Sequence, residues 1–193
     1  MEKKKSYTKW IILGVVVLLA LWFFGSYNGL VKLDTAAEAK WGNVQNSYQR
    51  RADLVPNLVA IVKSYSNYEG DVLTEITNAR ASVGQAKNAA ELEQAGTQLN
   101  SALSRLLVVV EAYPNLKASE NYLALQAQLE GAENRINTER TYYNTAVQQY
   151  KQKVRSFPSN MVAGMFGFSV DKWDMFQAAA GAEKAPDVKG LIA

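Results

Sequence analysis

From Trp10 to Tyr27 the chain runs 18 residues without a charged side chain, and Ile11 to Phe24 is almost wholly apolar. As a helix this stretch reaches about 27 Å, enough to cross the hydrocarbon layer of a bilayer. Trp10 stands at its near end and Trp22, Phe24 and Tyr27 at its far end, the belt of amphipathic rings that membrane interfaces favour. These four mark a membrane anchor. A cleaved signal peptide shares the basic start and the apolar run, but its run is shorter and ends in a small-x-small site. Here Leu21-Trp22-Phe23-Phe24 closes the run instead, which favours an uncleaved anchor over 10–27.

Beyond Asn28-Gly29 the period changes. Leu30, Leu33, Ala37, Trp41, Val44, Tyr48, Val55, Val59, Val62 and Tyr65 recur at steps of three, four and seven, one buried stripe of a long helix. Pro56 lies inside it and predicts a kink or a break, because proline removes a backbone donor and crowds the preceding turn. Gly70 offers a second interruption, after which Val72, Ile76, Ala79 and Val83 continue the stripe. Residues 84–88 read as a turn. A further helix through Leu92, Leu99, Leu106 and Tyr113 ends at Pro114, and the last long helix begins near Ala118 and closes at Phe157-Pro158. Its stripe of Tyr122, Leu125, Leu129, Ile136, Tyr143, Val147, Tyr150 and Val154 lies close to a heptad repeat. No alternation of period two persists. The fold class is therefore all-α, a single transmembrane helix followed by an elongated, antiparallel up-and-down bundle of three to four long helices over 28–157.

The composition changes again after Pro158. Met161, Met165, Phe166, Phe168, Trp173 and Phe176 crowd residues 158–176. This segment either covers one end of the bundle or forms a contact surface for another subunit, a partner or lipid, and these six are the candidate contact residues. Residues 177–193 carry mainly small and charged side chains and are expected to be disordered.

Charge predicts an orientation and argues against one class of partner. The net charge is +3 over 193 residues, and the excess lies entirely at the start: residues 1–27 hold four lysines and one glutamate, whereas the rest holds 17 basic and 17 acidic residues. The positive-inside rule then places residues 1–9 in the cytoplasm and the bundle outside, on the periplasmic side of an inner membrane. A neutral domain without a basic stripe gives no footing for nucleic acid. The chain has neither cysteine nor histidine, which excludes disulfides, thiolate nucleophiles and Ser-His-Asp triads. No cofactor or metal is expected. Glu130, Glu133 and Glu111 could suggest a carboxylate-bridged metal pair, but that chemistry uses a Glu-x-x-His on two of the helices. A polar network between helices fits better, with Asp53, Glu111, Glu130, Glu133, Arg135 and Arg140 as members, and Asp53 pairing with Arg135 or Arg140.

Several blocks together resemble one known family. Tyr27-Asn28-Gly29-Leu30-Val31-Lys32-Leu33-Asp34, Trp41, Gln49-Arg50-Arg51-Ala52-Asp53-Leu54-Val55-Pro56-Asn57-Leu58-Val59, Glu111-Ala112-Tyr113-Pro114-Asn115-Leu116-Lys117 and Leu129-Glu130-Gly131-Ala132-Glu133-Asn134-Arg135-Ile136 follow in order, with Arg140, Tyr143-Asn144, Val147, Tyr150 and Phe157-Pro158 after them. In order and spacing they resemble the LemA family of bacterial membrane proteins. The resemblance implies one N-terminal anchor, an antiparallel helical bundle and no catalytic residue. A magnetosome-forming relative implies a part in shaping or organising membrane, and neighbourhood with membrane proteases implies an accessory role. Tyr68 and Lys151 depart from the family, which often has histidine before Glu69 and asparagine after Tyr150. The functional expectation is a non-enzymatic structural or assembly protein of the bacterial envelope that forms homo-oligomers on the lipid bilayer. The alternative is an adaptor that presents a helix face to another envelope membrane protein, such as a protease or signalling partner.

Overall fold

The computed structural model describes residues 7–65 and 71–177. They form six helices: α1 (Thr8–Tyr65), α2 (Asp71–Gln85), α3 (Ala89–Glu111), α4 (Pro114–Lys117), α5 (Glu120–Arg155) and α6 (Ser159–Phe166). No strand occurs among the described residues, and the all-α expectation holds.

The span and the first bundle helix are one object. α1 is 58 residues long, about 87 Å by rise, and passes without interruption through Asn28-Gly29, where the sequence pattern sets the start of the bundle. It also passes through Pro56, so the expected break is not there. Val55, Leu58 and Val62 are all buried in the same core, and that shared burial on both sides of Pro56 offsets a proline cost of about 3 kcal/mol. The described helix runs on to Tyr65; Gly70 lies outside the described residues, as do Lys3 to Lys5 and all but the first residue of the predicted tail.

Pairings across the bundle fix its directions. Trp41 meets Tyr143 and Arg51 meets Glu133, so α5 descends antiparallel to α1. Asp53 faces Arg80, and Gln49 lies beside Gly84, so α2 also descends. α3 then climbs, with Gly96 against Tyr48. Its start is capped: Asn88 Oδ1 accepts from Glu91 N at 2.9 Å and Glu91 Oε2 accepts from Lys87 N at 2.8 Å, a reciprocal arrangement that satisfies donors a helix start leaves free. Pro114 opens α4, where its missing N–H costs nothing, and Ser119 caps α5.

The bundle is built from two helix pairs. The long α1–α5 pair carries the shorter α2–α3 hairpin on the half away from the apolar segment, and no Cα of α3 comes within 8 Å of one of α5. The main core runs along α1 from Ala37 to Val62. A second, smaller core of Leu30, Tyr150, Val154, Val162 and Ala163 lies where α6 folds back on α1 and α5.

Candidate functional site: the foot of the bundle and the C-terminal strap

The first turns of α1 are apolar and uncovered. Trp10, Leu18 and Phe24 are 74%, 68% and 63% exposed, and every large apolar side chain from Trp10 to Leu21 is open. An unburied apolar stripe of this size is unstable in water and is matched by lipid. Of the four anchor residues, Trp10 and Phe24 face outward and Trp22 lies partly open. Tyr27 turns toward its own chain: its ring lies 4.8 Å from that of Phe166 and 6.0 Å from that of Phe168.

α6 stops at Gly167, whose φ of 75° belongs to the left-handed region where a Cβ is costly; Phe168 N then donates to Ala163 O at 3.0 Å. From there residues 168–177 run up the α1–α5 groove as a strap, held at successive levels. Asp34 of α1 accepts from Lys172 Nζ at 2.6 Å and from Trp173 Nε1 at 2.9 Å. Tyr143 of α5 donates its hydroxyl to Asp174 O at 2.8 Å. Burial, with the Asp174 charge adding to it, pushes the Tyr143 phenol up to about 12. Asn144 holds both backbone groups of Phe176, and the Phe176 ring stacks on Trp41 with centroids 6.1 Å apart. Arg140 also lies over that ring, its guanidinium 4.7 Å from the centroid, a favourable placement for a cation on a π face.

The six candidate contact residues therefore divide. Phe168, Trp173 and Phe176 pack on their own bundle. Met161 and Met165 face outward, and Phe166 does both, touching Tyr27 while half its surface stays open. Sequence periodicity could not place Phe168, Trp173 and Phe176, because the strap is not helical and has no period to read.

The candidate polar network divides too. Glu133 pairs with Arg51 of α1 at 2.5 Å, Arg135 with Glu139 on its own helix at 2.6 Å, and Arg140 with Glu93 of α3 at 2.5 Å. Glu130 accepts from Gln126 within α5 at 3.2 Å, and Glu111 stands near enough to Tyr122 to help raise its pKa. The pairing of Asp53 with Arg135 or Arg140 is corrected: Asp53 sits on the α2 side of α1 and takes Gln49 and Arg80, whereas α5 passes along a different face.

Asp34, Asn144, Glu93 and Glu139 were not singled out from the pattern, yet two of them left a signal. Asp34 falls four residues after Leu30 and three before Ala37, inside the buried stripe, and Glu139 falls the same way between Ile136 and Tyr143. A charged residue on an apolar stripe needs a partner. For Asp34 that partner is the strap.

The gap between α3 and α5 leaves a groove of about 420 Å³ lined by Leu58, Leu103, Leu107, Tyr122 and Leu129, with Arg51, Glu130 and Glu133 at its polar side.

Comparison with known proteins places these features. Residues 40–189 match the sequence profile of the LemA family. Magnetosome protein MamQ 2 of Paramagnetospirillum magneticum is 26% identical over 183 aligned positions, covering 81% of this chain and 67% of that protein. Magnetosome protein MamQ of Magnetospirillum gryphiswaldense is 24% identical, covering 74% of this chain and 62% of that one. Protein LemA of Metamycoplasma hominis is 24% identical, covering 79% of this chain and 71% of that one.

Proposed function

The chain belongs to the LemA family, and from that premise we propose that it is a non-enzymatic structural protein of the bacterial envelope, anchored by α1 and self-associating to organise or shape the membrane beneath it. The observation that carries this reading is the continuity of α1. One unbroken helix supplies both the exposed apolar stretch and the spine of the main core, so there is no flexible joint between lipid and bundle. A bundle fixed to its anchor in this way transmits the packing of neighbouring bundles to the tilt and spacing of their spans. The names of the magnetosome relatives are consistent with work at a membrane. The orientation follows the four N-terminal lysines: start of the chain in the cytoplasm, bundle on the far side of the inner membrane.

Electron microscopy and mass measurement of the full-length protein in mild detergent test the reading. A defined oligomer is the expected result. A clean monomer at high concentration would remove self-association.

A second reading, an adaptor, is favoured by the groove between α3 and α5. It has an apolar floor and charged rim, and Leu107 and Val108 stand exposed on α3, Leu107 at its edge, which suits an amphipathic helix of another envelope protein. Crosslinking from position 107 in membranes separates the two readings, because one reproducible foreign partner supports the adaptor and self-crosslinks alone oppose it.

A further inference from the structure

Residues 157–170 contain no charged side chain; the nearest charges are Arg155 and Asp171. α6 lies inside this stretch and has two unlike faces. Val162 and Ala163 are buried against α1 and α5. Met161 and Met165, one turn apart, are 61% and 72% exposed, and Phe157, just before the helix, is 81% exposed. Such an apolar face, unrelieved by any charge, is not at rest in water.

Its position says what covers it. Phe166 at the end of α6 has its ring 5.9 Å from Phe23 and 4.8 Å from Tyr27, the residues with which the apolar stretch of α1 ends. α6 therefore sits at the depth where α1 leaves the bilayer, and its exposed Met and Phe side chains continue the uncovered apolar surface of the span. An ordinary interfacial helix needs a charged face toward water. Here the bundle itself covers that side, which explains how a helix without charges can lie there.

We propose that α6 is a second membrane contact, a wedge whose Phe157, Met161, Met165 and Phe166 side chains insert into the acyl–headgroup boundary of the leaflet on the bundle's side. The wedge fills one leaflet only, beside a span that crosses both. Each copy thus adds area to one side of the bilayer and biases it toward bending. The inference rests on the anchor reading above and deepens it.

The chain lacks cysteine, so single labelling sites can be introduced cleanly. Full-length Met161→Cys and Met165→Cys, each carrying an environment-sensitive fluorophore, are reconstituted in phosphatidylcholine vesicles without quencher, with a shallow spin-labelled lipid, or with one labelled deep in its acyl chain. Leu18→Cys reports the span and Asn121→Cys, exposed at the far end of α5, reports water. Circular dichroism checks each fold, and two sites on one face keep the test open if either variant misfolds. The expected result is blue-shifted emission at 161 and 165 and a loss of about half of it to the shallow quencher, with none lost at 121. Quenching at 18 with water-like emission at 161 and 165 overturns the wedge and leaves the anchor standing. A blue shift that lipid does not quench places a second copy on this face and also overturns it. No quenching at 18 by the deep label takes away the anchor reading itself.

Discussion

Asn144 treats the backbone of Phe176 as a neighbouring strand would: its Oδ1 accepts from Phe176 N and its Nδ2 donates to Phe176 O, both at 2.9 Å. One planar amide thus satisfies both polar groups of a buried residue in a segment with no secondary structure of its own, where each unmet group would cost about 1–3 kcal/mol.

Replacing Asn144 by Asp keeps the acceptor, deletes the donor and sets a carboxylate against the Phe176 carbonyl. Asn144→Asp should free the end of the strap, destabilise the protein by about 2 kcal/mol, and expose Phe176 to chymotrypsin under conditions where the parent resists. A cleavage pattern unchanged from the parent would show that the other contacts hold the strap without the Asn144 pairing.

The strap also marks the limit of what the pattern of residues could disclose. Helical stripes depend only on local spacing, so α3, α5 and the burial of Tyr143, Val147 and Tyr150 were legible from period alone. The run from Trp10 to Tyr27 was legible from its lack of charge. Asp34 and Trp173, 139 positions apart, were not, because a nonlocal contact leaves no periodic trace. Pro56 misled on a break for the opposite reason: burial on both sides of it carries the helix through. Asp53 misled because the face a polar residue takes is set by neighbours that its own spacing does not name.

Gly96 lets α3 approach α1. A Cβ built there would lie 2.6 Å from Tyr48 Cε1, and Tyr48 is buried in the core. Gly96→Ala should therefore destabilise by about 1–3 kcal/mol through overpacking, despite the better helix propensity of alanine. Gly131 on α5 meets nothing within 4 Å. There the same change should stabilise by up to about 1 kcal/mol. Thermal melts of the two variants should move in opposite directions; a shared direction would contradict the close approach at Gly96.

Two ion pairs to α1 differ in burial, and so in worth. The Arg51 side chain is 12% exposed beside Glu133, whereas Arg80 and Asp53 are 46% and 53% exposed. Exposed pairs contribute little, and removing one partner of a buried pair leaves a charge stranded. Arg51→Ala should cost about 2 kcal/mol, discounted for the partial exposure of Glu133, and Arg80→Ala less than about 0.5 kcal/mol. Denaturant midpoints read both, and equal losses would count against the ranking by burial.

Alkaline pH should unfold the bundle through its buried phenols. Burial raises Tyr48, Tyr122, Tyr143 and Tyr150 above the ordinary value of 10.0, with Tyr143 at about 12. Below pH 10 these groups are neutral in the folded and unfolded chains alike, and their contribution is fully present. Above it the unfolded chain loses phenolic protons that the folded chain retains, so stability falls by about 1.4 kcal/mol per pH unit for each tyrosine that lags. For Tyr143 the loss runs from pH 10 to about 12. Titration followed by tyrosinate absorbance and circular dichroism should show the buried phenols ionising together with the loss of helix, not before it. Tyr150→Phe isolates one share of the effect. Its hydroxyl is buried without a hydrogen-bond partner among the described residues, so the variant should match the parent at pH 7 and resist alkali better. Tyr143→Phe forfeits the bond to Asp174 and should be weaker at pH 7 by about 1 kcal/mol. If both variants behaved alike at neutral pH, the hydroxyl of Tyr143 would not be what ties the strap to α5.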